Sequence, residues 1–448
     1  MYRHLDTDTT IVAPATAAGG AIMVVRLSGV HAIDIADAMF RGRTPLRDAE
    51  GYTLHYGRIV DESNQVIDDV VVALFRAPHS YTGDDTVEIT LHGSEYITSE
   101  VLRVAINHGA VMAMPGEFTR RAFLVGKMDL SRAEAVADII ASDSKWSHAV
   151  ASTQIRGGYS ERLATLRNEL LRMCSLLELE LDFSEEDVEF ADRTTLRTTL
   201  DNIALQIESL TSSFALGNAL KHGVNVAIIG KPNVGKSTLL NALVEEDRAM
   251  VSEIAGTTRD TIEATTTIDG VRYRFVDTAG IHATDDRLEQ MGIDRTHRAI
   301  ANAAVILHLT TADCPEFEEV NYSPAQYYIR VVNKIDTATV AHNDPEVVYI
   351  SAKSGFGIDT LRNRLSATVD TSCLGTGSVV VSNMRHYAAL REAYNALMAA
   401  RTAMDMGLPS DLLSEDIRQV LTHLGEITGE ITSDDILHSI FSKFCIGK

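Results

Sequence analysis

The chain has 448 residues, of which 45% are apolar and 23% charged, a balance typical of folded domains that excludes wholesale disorder. Its formal net charge is −22, so a broad basic face for nucleic acid is not expected, and any RNA contact needs a local basic patch or a basic partner. The four cysteines form no C-x-x-C pair, and neither a signal peptide nor a long apolar run is recognised, so we expect a cytoplasmic protein without zinc knuckles or disulfides.

Residues 1–118 alternate short β-type runs with turns. Helical stretches interleave with these runs around residues 33–39 and 94–107. We therefore expect a small α+β domain at the beginning of the chain.

The next segment, residues 119–217, has the spacing of long amphipathic helices. It contains an acidic cluster, seven carboxylates among the twelve residues 178–189, which we interpret as a solvated helix face followed by a loop. Helical spacing returns in residues 373–448, with helices expected from 385 to 404 and from 410 to the end.

Between these helical blocks, residues 218–372 alternate strand and helix, which predicts a mostly parallel sheet. Because the helices on each side need a partner to bury their apolar faces, we expect 119–217 and 373–448 to pack together. The predicted fold is therefore multidomain, with an N-terminal α+β domain and a discontinuous α-helical domain into which a P-loop α/β domain is inserted.

The strongest motif is GKPNVGKS at residues 230–237, which fits G-x-x-x-x-G-K-[ST] between a predicted strand and a predicted helix. Its glycines let backbone N–H groups wrap phosphates, and the helix N-terminus adds positive potential. Lys236 is expected to reach the β- and γ-phosphates, and Ser237 to place its hydroxyl on Mg²⁺. The loop predicts a nucleoside triphosphate site without selecting the base.

The motif NKID at residues 333–336 indicates guanine as the base. The Asp336 carboxylate can accept hydrogen bonds from N1–H and the exocyclic amine of guanine, and adenine has neither group there. The motif SAK at residues 351–353 follows another predicted strand and suits backbone contacts to the base.

Two further motifs complete the predicted GTP site. In DTAG at 277–280, Asp277 would bind Mg²⁺ through water and the Gly280 N–H would sense the γ-phosphate, while in GTTRD either Thr257 or Thr258 would supply the switch hydroxyl. The magnesium ligands that we expect are Ser237 and Thr258. The residues expected to bind GTP are Asn233, Val234, Gly235, Lys236, Ser237, Thr238, Ser252, Glu253, Ile254, Ala255, Gly256, Thr257, Thr258, Asp277, Thr278, Ala279, Gly280, Asn333, Lys334, Ile335, Asp336, Ser351, Ala352 and Lys353.

These motifs, in this order and closed by a terminal FCIGK, resemble the bacterial tRNA-modification GTPases of the MnmE (TrmE) family over essentially the whole chain. The resemblance implies a homodimer whose N-terminal domain binds folate and dimerises. It also implies a heterotetramer with an FAD-dependent partner that adds a carboxymethylaminomethyl group at C5 of the wobble uridine of certain tRNAs. The one-carbon donor would be 5-formyl- or methylene-tetrahydrofolate.

The resemblance also implies that K⁺ stimulates GTP hydrolysis through dimerisation of the G domains. Ile281 follows DTAG and cannot orient water, so the family's catalytic role falls on Glu289, whose alternative is an exposed helix carboxylate. The residues implied as K⁺ ligands are Asn233, Ser252, Ile254 and Thr257, although Asn233 could instead be a filler of the phosphate-binding loop.

For the folate, the resemblance implies four binding residues, namely Arg26, Glu88, Lys127 and Lys448. A carboxylate such as Glu88 can pair with the amidine-like edge of a pterin, and cations suit the anionic glutamyl tail. Cys445 in the terminal motif is a possible functional thiol, and the alternative is a packed side chain.

Two other classes of GTPase share part of this pattern. A ribosome-assembly GTPase of the Era or Der type has the phosphate-binding loop and NKID, but does not explain the N-terminal block or FCIGK. A stress-linked regulatory GTPase would use the N-terminal domain for dimerisation only. Folate binding separates these alternatives from the MnmE-type function.

Overall fold

The computed structural model describes residues 8–17, 19–182, 192–244, 263–277, 297–337, 344–372, 374 and 379–447. The chain divides into two compact units, the first comprising Met1–Ala137 with Leu424–Lys448 and the second Asp138–His423. This division does not test the finer domain limits drawn from the sequence, which stay predictions. In the described part of the chain, no helix has the length and apolar character needed to cross a membrane.

The first unit contains a seven-stranded sheet with the order β3-β4-β5-β6-β2-β1-β7. Its neighbours pair antiparallel except β1 and β7, which are parallel. The short edge strands β3 and β7 are absent from the sequence prediction. The strands are β1 (Ile11–Pro14), β2 (Ile22–Ser28), β3 (Phe40–Gly42), β4 (Thr53–Val60), β5 (Val66–Phe75), β6 (Thr86–His92) and β7 (Val111–Met112).

Two helices near the expected positions share a core with this sheet. Val25, Val72 and Ile89 of the sheet are buried in one cluster with Ile35 of α1 and Val104 of α2. The alternation of buried and exposed residues along β2, β5 and β6 explains why these strands form a half-covered sheet. The helices of this part are α1 (Ala32–Met39), α2 (Glu95–Asn107), α3 (Glu117–Leu124) and α4 (Leu130–Ala141), with a 3₁₀ turn at Leu46–Asp48.

The end of the chain is two helices and not the uninterrupted helix predicted from residue 410 onward. Helix α13 (Ser410–Thr428) ends where Gly429 has φ +84°, a conformation that favours glycine. Helix α14 (Asp434–Phe441) begins after Ser433, whose side chain accepts a hydrogen bond from the Ile436 N–H. The prediction was wrong because a helix-capping glycine was not recognised in an otherwise helical pattern.

The second unit contains the remaining helices, which lie before and after its sheet in the chain. The ring of Phe214 stacks on that of Tyr387 at 4.4 Å, and Arg167 donates to the Leu421 carbonyl at 2.7 Å. Segments on both sides of the sheet therefore pack together, as predicted for a discontinuous helical domain. These helices are α5 (Lys145–Ile155), α6 (Gly158–Asp182), α7 (Arg193–Ser212), α8 (Phe214–His222) and α12 (Met384–Asp405), together with the part of α13 up to His423.

The acidic cluster is only partly the solvated face that we expected. Glu178 is exposed and paired with Arg418, in agreement with that interpretation. Glu180 is buried, and its carboxylate accepts hydrogen bonds from Arg193 and the Ser410 hydroxyl, both at 2.9 Å. The expectation was wrong at Glu180 because its partners are distant in sequence; residues 183–191 lie outside the described part.

The sheet of the second unit has six strands in the order β13-β12-β11-β8-β10-β9. All neighbours are parallel except β9 and β10, which form an antiparallel hairpin. The mostly parallel sheet is confirmed, and β9 is an additional strand. The elements are β8 (Val224–Ile229), α9 (Lys236–Val244), β9 (Glu263–Ile268), β10 (Val271–Asp277), α10 (the described helical residues 297–302), β11 (Val305–Thr311), β12 (Tyr327–Asn333), β13 (Val347–Tyr349) and α11 (Ile358–Ser366).

Candidate functional sites

The predicted phosphate-binding loop lies between the buried strand β8 and helix α9. Gly230 has φ +142°, and a Cβ atom there would lie 2.2 Å from the Leu309 carbonyl oxygen, so only glycine fits against β11. The Lys236 ammonium donates hydrogen bonds to the carbonyls of Gly230 and Lys231, at 2.7 and 3.0 Å. Lys236, the first residue of α9, therefore folds back over the phosphate-binding loop, where it is expected to contact the phosphates.

The predicted guanine motif contacts the phosphate-binding loop directly. Asn333 is buried at the end of β12, where its Nδ2 donates to the Val234 carbonyl at 2.8 Å and its Oδ1 accepts from the Ala352 N–H at 3.0 Å. Lys334 Nζ donates to the Asn233 carbonyl at 2.7 Å. Three motifs that are far apart in sequence therefore meet at the carboxyl edge of the parallel strands.

The Asp336 side chain is exposed at this edge, as a base-reading carboxylate must be. A hydrogen bond from Ser351 is the main cause that lowers its pKa, with smaller contributions from Lys353 and Lys334. Asp336 is therefore ionised at neutral pH and ready to accept two hydrogen bonds. Ser351 and Ala352 are buried below it, whereas Lys353 is exposed.

The structure describes only some of the other residues that are predicted to bind the nucleotide. The backbone of Asp277 ends β10 opposite Ile228 of β8, next to the phosphate-binding loop. Ser237 and Thr238 lie in the first turn of α9. Outside the described residues lie Ser252, Glu253, Ile254, Ala255, Gly256, Thr257, Thr258, Thr278, Ala279, Gly280 and Glu289.

In the first unit, Arg26 and Glu88 face each other on neighbouring strands β2 and β6. Arg26 Nε donates to a Glu88 carboxylate oxygen at 2.8 Å, and the two side chains are 14% and 29% exposed. The rings of Tyr81 and Phe118 lie 5.7 and 5.5 Å from the Arg26 guanidinium carbon. The pair therefore forms a partly open charged site beside the half-buried Tyr81 ring, while the fully buried Phe118 ring packs against Arg26 from the core.

The terminal motif reaches the same site. Arg26 Nη1 donates to the Gly447 carbonyl at 3.1 Å, across 421 positions of sequence. Gly447 has φ +98°, and a Cβ there would lie 2.0 Å from the Pro14 carbonyl oxygen, so this glycine permits the close approach of the chain end to β1. Lys448 itself lies outside the described residues, and its neighbour Gly447 is beside Arg26.

Lys127 is placed near the pair through an intervening loop. Its ammonium donates to the Ser80 carbonyl at 2.6 Å, one residue before Tyr81. The structure brings together Arg26 and Glu88, and Lys127, which follows α3, donates a hydrogen bond to the loop that carries Tyr81. The packed alternative for Cys445 is wrong, because its side chain is exposed while the neighbouring Phe444 is buried.

Sequence reasoning did not single out Tyr81, Phe118 or the buried Arg121. Arg121 is 2% exposed and pairs with Glu117 at 3.0 Å and with Asp84 at 3.7 Å, next to the loop of Tyr81. Tyr81 and Asp84 belong to the segment YTGDD, in which several polar residues follow a strand. That segment was the available signal, but no local spacing shows that it folds over Arg26.

The phosphate-binding loop joined to a guanine-reading loop, at the carboxyl edge of a parallel sheet, defines the class of P-loop GTPases. The family model described as "MnmE helical domain" matches residues 130–445, and that of "GTP-binding protein TrmE N-terminus" matches residues 10–127. The chain belongs to the MnmE (TrmE) family. The alternative of an Era- or Der-type protein, which explains neither end of the chain, is therefore disfavoured.

Curated relatives match the chain from end to end. The tRNA modification GTPase MnmE of Cytophaga hutchinsonii is 48% identical, over 100% of this chain and 99% of the relative. That of Porphyromonas gingivalis is also 48% identical, over 99% of each chain. A solved structure of Era from Aquifex aeolicus is 30% identical over 39% of this chain and 66% of its own, with a TM-score of 0.26.

Proposed function

We propose that this GTPase, together with an FAD-dependent partner, adds a carboxymethylaminomethyl group at C5 of the wobble uridine of certain tRNAs. The observation that carries the proposal is the Arg26–Glu88 pair, which meets the terminal motif at Gly447 in a chain that also has a guanine-reading GTP site. The printed name of the curated relatives, tRNA modification GTPase, supports the tRNA substrate.

The N-terminal site fits a reduced folate, either 5-formyl- or methylene-tetrahydrofolate. The Glu88 carboxylate can accept two hydrogen bonds from a pterin edge, and the half-buried ring of Tyr81 offers an apolar surface. Arg26, Lys127 and Lys448 would offset the negative charge of the glutamyl tail. When bound, the folate supplies the one-carbon unit, and the residues named here hold and orient it.

For GTP hydrolysis, Ser237 and Thr258 would hold Mg²⁺ and Glu289 would orient the attacking water. Asn233, Ser252, Ile254 and Thr257 would hold K⁺, which offsets charge that develops between the phosphates. Asn233 has φ +64° and is fixed through its carbonyl by Lys334, so the loop geometry at this position is set by the guanine motif. Replacing KCl by NaCl is expected to slow hydrolysis, and equal rates would contradict the K⁺ site.

Hydrolysis would act as a conformational gate rather than take part in the chemistry on the uridine. The proposed cycle brings two G domains together when GTP is bound and separates them after hydrolysis. We therefore expect tRNA modification to require GTP hydrolysis, and GTP binding alone to be insufficient.

An exposed apolar surface supports the proposed homodimer through the N-terminal domain. Leu54 and Tyr56 on β4 are 72% and 71% exposed, and Val71 lies opposite Tyr56 on β5 with 38% exposure. Contiguous apolar side chains on the open face of a sheet are typical of protein interfaces.

The net charge of −22 makes strong tRNA binding by this chain alone unfavourable, which fits a cytoplasmic heterotetramer in which the partner supplies most of the affinity for tRNA.

The decisive experiment is mass spectrometry of tRNA nucleosides from cells that lack this protein. We expect the wobble-uridine side chain to be lost, and to be restored by the wild type but not by Asp277→Ala or Glu88→Gln. Unchanged nucleosides would contradict the modification chemistry. Restoration by Glu88→Gln together with absent folate binding would contradict the folate site and would leave the N-terminal domain a role in dimerisation only.

A further inference from the structure

The turn between β9 and β10 is held by the beginning of helix α5. Asp269 and Gly270 both have positive φ, +51° and +79°, as a tight two-residue hairpin turn requires. Trp146 Nε1 donates to the Asp269 carbonyl at 3.0 Å, and the Trp146 N–H donates to the Gly270 carbonyl at 3.3 Å. Both carbonyls of the turn are therefore bonded to one residue of the helical segment.

Further contacts fix the same turn from both sides. Arg272 of β10 pairs with Asp143, which lies just before α5. The Ser366 hydroxyl at the end of α11 donates to the Asp269 carboxylate at 2.5 Å. A Cβ on Gly270 would lie 3.1 Å from Lys145 Cβ and 3.2 Å from Trp146 Cδ1, so the turn and the helix are already in close contact.

The start of α5 is itself a rigid support. Ser144 and Ser147 form a reciprocal capping box, in which each side chain bonds the backbone N–H of the other. Trp146 lies between these two residues and is half-buried against the core of the sheet. The indole therefore has a defined position from which to hold the turn.

The other end of the hairpin lies beside the predicted nucleotide site. Strand β10 ends at Asp277, and its five backbone pairs with β8 run to Ile228, beside the phosphate-binding loop. Strand β9 begins at Glu263, three residues after GTTRD, and is tied to β10 by six pairs. A seven-residue strand spans about 23 Å, so the hairpin connects the two predicted switch motifs to α5.

We propose that Trp146 is a positioning residue for GTP hydrolysis, which acts by holding the turn of the β9–β10 hairpin. While the turn is held, Asp277 at the far end keeps its place relative to the phosphate-binding loop. Conversely, a shift of the hairpin on GTP binding changes the contact at Trp146 and is transmitted to α5. The inference rests on the GTPase activity alone and not on folate or tRNA.

The first test uses intrinsic fluorescence, because Trp146 is the only tryptophan of the chain. The intact protein is compared with GDP and with a non-hydrolysable GTP analogue, and binding of each is checked by calorimetry. We expect the indole emission to differ between the two states, and the difference to shrink by half or more in Asp143→Asn. Identical spectra from protein that binds both nucleotides would overturn the proposal; failure to bind either would instead contradict the GTPase assignment.

The second test separates positioning from simple folding. Trp146→Phe keeps an aromatic ring but loses the Nε1–H donor, and we expect kcat for GTP to fall about threefold to tenfold while KM stays within about twofold. The control is Arg103→Gln, which breaks an exposed ion pair with Glu62 and Glu100 in the N-terminal sheet unit. An unchanged kcat in Trp146→Phe, or an equal loss in the control, would overturn the proposal.

Discussion

The nucleotide edge of the second unit and the Arg26–Glu88 site of the first unit are built in different ways. At the nucleotide edge, short contiguous motifs carry the ligands, and backbone carbonyls of Gly230, Asn233 and Val234 accept the bonds that hold the edge together. At the Arg26–Glu88 site, side chains from two strands meet a chain end that is 421 residues away. The first arrangement is local in sequence and the second is not.

This difference determines which substitutions each site tolerates. The phosphate-binding loop is held by its glycines and by the neighbouring strand. Substituting one of the few exposed side chains at this edge should therefore change ligand binding without changing the shape of the loop. A site made from distant side chains depends in addition on the docking of the terminal segment, which Phe441 and Phe444 anchor against Leu130. Ligand binding at the second site is therefore expected to be sensitive to substitutions that touch no ligand.

The largest expected effect is at the nucleotide edge, with Asp336→Asn. The amide can no longer accept both hydrogen bonds from guanine, so GTP affinity should fall about 100-fold or more. Because xanthine has a carbonyl where guanine has its amine, affinity for XTP should rise. Calorimetry with both nucleotides measures this exchange.

Folate binding provides the control for Asp336→Asn, since it should be unchanged. A variant that lost GTP affinity without gaining any for XTP would indicate a misfolded edge, and one that still preferred GTP would contradict the role of Asp336. Either result would contradict the view that the nucleotide edge depends on its own motif residues, independently of the Arg26–Glu88 site.

The next effect is at the other site, with Glu88→Gln. Removing the charge weakens both the bond to Arg26 and the pairing with a pterin, so folate affinity should fall about tenfold to a hundredfold. GTP hydrolysis should be unaffected. The matched control is Arg47→Gln, which breaks an ion pair with Asp37 in the same unit and should leave folate binding intact.

Gly447→Ala tests whether the chain end belongs to the site. A methyl group would meet the Pro14 carbonyl, and the positive φ adds strain, so the terminal segment should lose about 1–3 kcal/mol of its docking free energy. We expect weaker folate binding and faster proteolysis of the last residues, with normal GTP binding. Unchanged folate affinity with a displaced tail would show that Arg26 and Glu88 suffice.

The same contrast explains how far the sequence predicted the molecule. The expected positions of β8, β12 and the phosphate-binding loop are confirmed because hydrophobic runs and glycine-rich motifs are local signals. The helix break at Gly429, the hairpin strand β9 and the burial of Glu180 were missed. Only the burial of Glu180 depends on a distant partner, the Ser410 hydroxyl, which no window of neighbouring residues contains. The other two had local signals that were not recognised, a helix-capping glycine and the Asp269-Gly270 turn.

Candidate site residues follow this pattern. Asn333 and Asp336 could be assigned from a tetrapeptide, and the structure places them beside the phosphate-binding loop. Arg26 and Glu88 came only from family resemblance, because isolated charges on strands carry no signal of their own. Tyr81 and Trp146 were not found, since an aromatic residue in a sequence is more often part of a core than of a site.

The smallest expected effect is on folding stability and concerns Asp84, whose environment is opposite to that of Asp336. Hydrogen bonding lowers the pKa of Asp336, whereas burial raises the pKa of Asp84 above its ordinary value despite the nearby Arg121. The folded chain therefore holds the Asp84 proton more tightly than the unfolded chain does. Ionised Asp84 costs the folded state free energy above the raised pKa, and this cost disappears as the pH falls from there to 3.8.

Asp84→Asn, which cannot ionise, should consequently be more stable than the wild type at pH 7. The difference should shrink as the pH approaches 4, and denaturant unfolding at several pH values measures it. Arg121 keeps Glu117 at 3.0 Å, so the substitution leaves no buried charge unpaired. A loss of stability at pH 7 would show instead that the attraction between Asp84 and Arg121 outweighs the cost of burying the Asp84 charge. In that case Asp84 would help to support the Arg26–Glu88 site.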